Sequence, residues 1–496
     1  MKQHFISVSI FFLLTPLLLA ADSPTQQPNI ILIVSDDLTS TAIQSFGNKT
    51  CNTPNIDRLA AEGVTFNRTY CQYPVCGASR ASFMSGLYPE TTGFLGNIKL
   101  LGSYRALNPT FAEHPSIGGF LRQHGYVSAR VSKIYHMGVP GGIEAGEPGG
   151  DEPDSWDRAY DVWGPETGSV GEFKNLSPAM KHWGGAFVRV IVPDDHSHTQ
   201  TDELAINQAI AILENRSRHR NEKNFLKPGQ PFFLAVGLVR PHVPLIAPAR
   251  HFAAYPAKDM HLPVVPENDL QDVPVENRRK ANKTMYKMTD AQQHEALAAY
   301  YASVSYMDEQ VGRLLHALDA LELADNTVVV FISDHGWLLG EHGCWQKSNL
   351  FEPTCQVPLI IRAPGYEKSA GATSFCLTEL VDIYPTIVEL AGLESKAPRL
   401  LEGYSLVPLL RDPSSSKWSR SAAYTVMGGK RNIHRSIRTE RFRYSQYSDG
   451  SEELYDHELD PDEHTNRVGD PQLRENLDAM RGIMSDQKKR WSPARQ

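Results

Sequence analysis

Cys76-Gly77-Ala78-Ser79-Arg80 sets one thiol, one hydroxyl and one guanidinium within five residues. Gly77, Ala78 and Ser79 are small enough for the backbone to pass close to a ligand. Arg80 brings a permanent planar charge suited to an oxyanion. The apolar, helix-compatible run 81–87 follows, so a helix starting near Ser79 would point its positive end at an anion held in this turn. Alone, a Cys-x-x-Ser of this kind is more often a buried cysteine at a helix start.

Four other stretches share one pattern: an aliphatic run that ends in charged or histidine residues. Residues 30–34 run into Asp36 and Asp37. Residues 127–131 lead to Lys133 and His136. Residues 231–237 are followed by His242. Residues 328–332 end at Asp334 and His335, with Lys347 shortly beyond. Continuous aliphatic runs suit strands buried on both faces. In a parallel sheet the carboxyl ends of strands share one edge, where open α/β folds bind ligands. Asp36 and Asp37 repel each other, which calls for a helix cap with a solvated neighbour or for a divalent cation taking hard oxygens. Singly, His242 reads as a satisfied structural histidine and Lys133 as a solvated charge. Four such strand ends beside the cysteine turn favour one common site.

The elements that must position these residues follow from the rest of the chain. Its 496 residues allow one large α/β domain and a smaller one, with 41% hydrophobic and 9% aromatic residues. The net charge is 49 − 57 = −8 and no basic run of the nucleic-acid type occurs, so a polyanionic partner needs a local basic pocket. Residues 1–20 read as a signal peptide: a basic start, an apolar run and small residues at 20–21. The apolar run, about 15 residues with Pro16 inside it, is short for a membrane span of about 20. Export to a secreted, periplasmic or (in a eukaryote) lysosomal location permits disulfides. The cysteines are 51, 71, 76, 344, 355 and 376, and their connectivity stays open.

Residues 53–60 read as a cap and short helix, and 116–124 and 201–213 as helices. Leu297, Tyr301, Val304, Met307, Val311, Leu314, Leu315 and Leu318 recur every three or four residues and mark one long helix. Residues 138–200, rich in Gly, Pro, Asp and Trp, and the polar stretch 250–290 lack a clear period. Both are expected to wall in the strand-end cleft. There Trp337 and Trp345 are either sugar-stacking surfaces or core. Residues 357–361 and 436–447 read as strands, 411–416 as a linker, and a terminal helix ends the chain. The division is therefore 1–20, a catalytic domain over 26–411, and a small C-terminal unit over 418–496. The glycosylation sequons at Asn48, Asn67, Asn175, Asn215 and Asn282 matter only in a glycosylating host.

Cys76 to Arg80 resembles the signature of formylglycine-dependent sulfatases, in the alkaline phosphatase superfamily. Ala78 stands where most members have Pro. TPNIDRLA (53–60) resembles another family segment. FFLAVGLVRPHVP (232–244), YYASVSYMDEQVGRLLHALDAL (300–321) and SDHGWLLGEHGCWQK (333–347) resemble the iduronate-2-sulfatase branch. The resemblance implies a large, mostly parallel mixed sheet between helices, with a small C-terminal antiparallel sheet domain. It implies oxidation of Cys76 to formylglycine by a maturation enzyme, the aldehyde hydrate then being the nucleophile. It implies one Ca2+ held by Asp36, Asp37, Asp334, His335 and the modified Cys76. Arg80, Lys133, His136, His242 and Lys347 would surround nucleophile and sulfate, with His136 taking a proton and His242 and Lys347 assisting the leaving alcohol. Gln356 departs from relatives that carry a basic residue there. The expected substrate is a sulfated oligosaccharide or polysaccharide, attacked from its end, with a 2-O-sulfated uronic acid favoured. The alternatives are a phosphomonoester or phosphonate hydrolase of the same superfamily and an inactive sulfated-glycan binding protein.

Overall fold

The computed structural model describes residues 27–195, 199–217, 227 and 229–489, so the signal-like segment lies outside the described residues. Its main sheet has eight strands: β1 (Asn29–Asp36), β2 (Val64–Phe66), β3 (Val127–Ser132), β4 (Arg158–Tyr160), β5 (Phe232–Pro241), β6 (Thr327–Ser333), β7 (Leu359–Arg362) and β8 (Ala372–Ser374). Their order is β8-β2-β7-β6-β1-β5-β3-β4. The four strands whose ends carry charged residues, β6, β1, β5 and β3, are consecutive and parallel. β7 pairs antiparallel with β6, and β2 antiparallel with β7, which makes the sheet mixed.

Alternation along β1 explains the layers. Ile31 and Ile33 face one apolar cluster, which holds Val304, Val311 and Leu315 of the long helix. Ile30, Leu32 and Val34 face the other, with Phe83, Ile117 and Ile387. Strands buried on both faces need helices on both, and the uniformly apolar runs meet that need. The helices are α1 (Pro54–Glu62), α2 (Cys76–Ser85), α3 (Ile117–Gln123), α4 (Thr201–Ser217), α5 (Asp290–Ala320), α6 (Ile383–Leu390) and α7 (Arg474–Lys489). Thr289 and Gln292 cap α5 reciprocally, each side chain accepting from the other's backbone N–H.

The C-terminal sheet runs β9 (Ala423–Met427), β10 (His434–Arg438), β11 (Phe442–Gln446) and β12 (Glu452–Asp456), every neighbouring pair antiparallel. Tyr424, Ile437 and Tyr444 of this sheet and Leu477 of α7 share an apolar cluster with Ala78 and Ala81. The small sheet thus buttresses the cysteine helix.

Three expectations need correction. Residues 436–447 are not one strand but parts of β10 and β11, joined by a turn at Thr439, where Phe442 N donates to Thr439 Oγ1 at 3.0 Å. The run 357–361 is split at Pro358, which has no N–H to give a ladder. Gln356 and Val357 pair with Tyr70 and Thr69, whereas β7 pairs with β6 and β2. The cysteine helix starts at Cys76, three residues before Ser79, because the first turn uses small residues and needs no side-chain cap. All six cysteines lie unpaired in the structure.

Candidate active site

The end of β1 supplies Asp36 and Asp37, both fully buried. Asp37 takes a left-handed backbone, φ 65°, that turns its carboxylate back over the strand end. The end of β6 supplies Asp334 and His335, and Asp37 N donates to Asp334 Oδ1 at 3.3 Å. Lys133 follows β3, and Gly237 of β5 makes its position possible. A Cβ at Gly237 would fall 2.0 Å from Lys133 O.

α2 brings Cys76 and Arg80 over this edge. Asn97 Oδ1 accepts from Gly77 N at 2.8 Å at the helix start, and Ser79 Oγ donates to Asp334 O. Arg80 Nε donates to Asp334 Oδ2 at 2.7 Å and its Nη2 to Asp36 Oδ1 at 3.2 Å. Lys133 Nζ pairs with Asp36 Oδ2, and Lys347 Nζ with Asp37 Oδ1 at 2.5 Å. Three buried carboxylates are therefore met by three permanent cations, Arg80, Lys133 and Lys347.

Cys76 Sγ lies 3.1 Å from Lys347 Nζ, 3.2 Å from His335 Nε2 and 3.9 Å from Asp37 Oδ1. Gln346 and Ser348, on either side of Lys347, both have positive φ, 70° and 72°. The chain is bent there to turn the lysine inward. His335 Nε2 lies 3.1 Å from Asp37 Oδ1, and its Nδ1 donates to Gly336 O at 2.9 Å.

His242 is buried, and its Nδ1 donates to Val243 O at 2.6 Å, which leaves Nε2 facing the cleft 3.6 Å from Asp37 Oδ2. His136 is half-buried, and its Nδ1 has no hydrogen-bond partner among the described residues. Nine of the ten residues singled out from the sequence are thus joined by side-chain contacts at one strand-end edge. Among the described residues, His136 alone makes no side-chain hydrogen bond or ion pair with the others, although the charges of Lys133 and Asp36 act on its imidazole.

The electrostatics follow from burial in a charged nest. Burial alone would raise the Asp36 carboxyl, but Lys133, His242 and Arg80 overcome it and hold it well below the usual range. Asp37 is likewise held low against burial by His242 and Lys347. Burial lowers His242 to about 4, and burial with the nearby Lys133 lowers His136 to about 2, so both imidazoles are neutral at pH 7. His335 moves the other way: burial opposes its charge, but Asp334 and Cys76 raise it well above the ordinary value. Lys347 is raised too, with Asp37 outweighing burial.

The donor set fits a divalent cation. The ligand atoms of Asp36, Cys76, Asp334 and His335 lie within 4.8 Å of one another, as do those of Asp36, Asp37, Cys76 and His242. Asp37 Oδ2 is buried without a hydrogen-bond partner. A buried carboxylate oxygen left bare is costly unless something positive takes it. Carboxylate oxygens are the ligands that hard cations prefer.

Some participants were not anticipated from sequence. Tyr300 Oη donates to Asp37 O at 2.7 Å and accepts from Thr39 N at 3.0 Å, bracing the left-handed turn from α5. Tyr300 sits on the buried stripe of that helix, where its hydroxyl needs a partner, yet nothing local says which. Trp337 and Trp345 are core, not sugar platforms. Both are fully buried, packed edge-on against Phe187. Gln356 Nε2 donates to Asn67 O at 2.6 Å, and its Oε1 accepts from Ser40 Oγ at 3.4 Å, so both ends are occupied.

Comparison with known proteins decides the family. The model of the sulfatase family matches residues 28–393, and that of the N-sulphoglucosamine sulphohydrolase C-terminal region matches 340–490. The chain belongs to the sulfatase family. As a sulfatase it is a sulfuric ester hydrolase, in a family that generally uses a formylglycine and a metal ion. It is 31% identical to a sulfatase of Formosa agariphila over 478 residues, covering 94% of this chain and 88% of that one. It is 31% identical to human iduronate 2-sulfatase over 414 residues, covering 75% of this chain and 70% of that one. A phosphonate monoester hydrolase from Silicibacter pomeroyi has the same fold, with a TM-score of 0.74, 21% identity and coverage of 94% and 96%. No helix among the described residues is long and apolar enough to cross a membrane.

Proposed function

We propose that this sulfatase is exported and removes sulfate from the terminal sugar of a sulfated oligosaccharide, with a 2-O-sulfated uronic acid as the favoured residue. One observation carries the reading. Cys76 opens a helix directly above three buried aspartates, with Lys347 and His335 both within 3.2 Å of its sulfur. The iduronate 2-sulfatase likeness supports the uronate, and the neutral, occupied Gln356 leaves that choice to the cations of the cleft.

A formylglycine made from Cys76 would supply, as its hydrate, the nucleophilic oxygen and the means of releasing sulfate. A Ca2+ ion would be held by Asp36, Asp37, Asp334 and His335, and would supply positive charge to a sulfate oxygen. The remaining work falls to this chain's own residues. Arg80, Lys133 and Lys347 balance the three carboxylates, so a divalent ion held there would add positive charge for an incoming sulfate. A sulfate ester develops charge on its bridging oxygen as the S–O bond breaks, and prearranged cations stabilise that charge. Lys347, held protonated by Asp37, keeps its charge beside residue 76. His242 has Nδ1–H fixed on Val243 O, which leaves Nε2 to carry a proton to or from the leaving alcohol. His136, neutral and without a partner at Nδ1, can accept the proton released as sulfate departs.

The segment 138–195 reaches the site's edge at two points, and the stretch 250–290 at one, where Trp345 N donates to Lys280 O at 3.1 Å. Gly150 N donates to His136 O at 2.9 Å, and Gln346 Nε2 to Gly185 O at 2.7 Å. Such walls favour a pocket for one terminal sugar over an open groove. The experiment is sulfate release by matured protein from size-defined oligosaccharides sulfated only at the non-reducing end or only internally. End-selective release is expected. Equal release from internal positions would rule out the closed pocket, and faster cleavage of aryl phosphate than aryl sulfate would favour the phosphoesterase alternative.

A further inference from the structure

The chain carries a net charge of −8, yet a cavity outside the cluster around Cys76 is lined by three arginines. Its volume is about 650 Å³, and it lies where the catalytic sheet meets the C-terminal sheet. Arg68 comes from the turn after β2, and Phe375 directly follows β8. Trp418 and Arg420 come from the segment before β9, and Glu440 and Arg441 from the turn between β10 and β11.

The cavity is a neighbour of the cleft along one sheet edge. β2 and β6 each pair antiparallel with β7, so they run in the same direction, and β8 runs parallel to β2. Arg68 and Phe375 therefore leave their strands at the edge that carries Asp334 and His335. β2 stands two strands from β6, about 10 Å at the usual spacing. Hydrogen bonds mark the path between. Ser40, close after Asp37, donates from Oγ to Gln356 Oε1 at 3.4 Å, and Gln356 Nε2 donates to Asn67 O at 2.6 Å, next to Arg68.

The three arginines are not equivalent. Arg420 pairs with Glu379 and Asp382, and Arg441 with Asp456 at 2.6 Å and Glu458 at 3.1 Å. Arg68 is half-buried, and its guanidinium makes no hydrogen bond or ion pair among the described residues. A partly desolvated cation without a partner gains from an anion. A planar guanidinium takes a carboxylate or a sulfate through two N–H groups. The one carboxylate of the lining, Glu440, is exposed to water, where its repulsion is screened. Phe375 is 60% exposed, an apolar ring that the face of a sugar can cover. Trp418 adds a second ring, held by its Nε1 donating to Leu377 O at 2.8 Å.

We propose that this cavity is a second saccharide site, in which Arg68 takes the carboxylate or sulfate of an inner sugar while the terminal sugar of the same chain occupies the cleft. The inference rests on the end-acting sulfatase reading above. It makes the enzyme prefer longer anionic chains to short esters, through residues that take no part in the chemistry.

The test compares matured wild type with Arg68→Gln, reading release of the terminal sulfate. The probes are an aryl sulfate, a disaccharide with a terminal sulfate ester, and hexasaccharides with the same terminal ester and inner sugars that are neutral, carboxylated or sulfated. Wild type should prefer at least one charged hexasaccharide to the disaccharide and to the neutral hexasaccharide. Arg68→Gln should lower kcat/KM on that substrate by about tenfold, through KM, as for a lost charge-assisted contact. On aryl sulfate and disaccharide it should stay within about twofold of wild type, as for a substitution away from the chemistry. The charged hexasaccharide that loses its advantage identifies the oxyanion. If Arg68→Gln does not fold, Phe375→Ala, at an exposed ring, carries the test with the same direction of change. Equal loss on aryl sulfate, no wild-type preference for a charged hexasaccharide, or a folded variant that keeps the full preference overturns the proposal and leaves the sulfatase reading standing. Wild type that cleaves no sulfate ester, or inner esters as fast as the terminal one, overturns the proposed function and this inference with it.

Discussion

Lys347 Nζ stands between Cys76 Sγ, at 3.1 Å, and Asp37 Oδ1, at 2.5 Å. One half-buried cation thereby touches the proposed nucleophile and a carboxylate of the candidate metal set together. Its charge also lies over the Trp337 ring, 5.5 Å from the centroid, so the side chain is held on three sides.

Replacing it should cost rate more than fold. Lys347→Met should lower kcat/KM on an aryl sulfate by about 10²–10³, the usual loss for one preorganised electrostatic contact. Metal content, read by elemental analysis, should persist, because the carboxylates remain. Unchanged kcat/KM would remove Lys347 from the chemistry.

Metal removal should weaken the protein without unfolding it. Arg80, Lys133, Lys347 and the charged His335 already compensate the three aspartates without metal, but among the described residues Asp37 Oδ2 has no hydrogen-bond partner. Chelation should abolish activity and lower the melting temperature, and Ca2+ should restore both. Absence of bound metal, with no change in melting temperature on chelation, would contradict the site.

Gly237→Ala tests how Lys133 is placed. The new Cβ would fall 2.0 Å from Lys133 O, a backbone atom that cannot swing aside. Overpacking of this kind costs about 1–3 kcal/mol. Lys133 should be displaced from Asp36, so activity should fall along with denaturant stability. A variant of wild-type stability and rate would show that the turn tolerates the methyl.

The C-terminal sheet gives a pH prediction away from the active site. Glu453 is buried, accepts from Tyr447 Oη at 2.6 Å and Tyr455 Oη at 3.1 Å, and burial pushes its carboxyl from the ordinary 4.5 up to about 7. A folded-state value above the unfolded one means the folded protein holds that proton more tightly. The stabilisation is full below 4.5 and is lost as pH rises through about 7. Glu453→Gln, a neutral mimic, should flatten the fall in stability across that window. Identical slopes in urea titrations from pH 4.5 to 7 would contradict it.

Much of this was legible in the chain because buried parallel strands leave a plain mark. The aliphatic runs before Asp36, Lys133, His242 and Asp334 announced strand ends, and the sheet places those four strands side by side. The Cys76 turn and Lys347 were visible as motifs. What was not legible depends on tertiary approach. Tyr300 reads as one more apolar helix position, and its bond to Asp37 O exists only because α5 crosses that turn. Trp337 and Trp345 looked suited to a sugar face because they flank charged residues, yet Phe187, from the segment without period, closes over both.

The central claim is that residue 76 works as an aldehyde made from cysteine. Its most direct test is the mass of the peptide containing residue 76, measured across preparations matured to different extents and set against the aryl sulfatase rate of each. The rate should rise in proportion to the formylglycine fraction and vanish with it, as it should also in Cys76→Ala. Full turnover by protein whose Cys76 remains a thiol would contradict it.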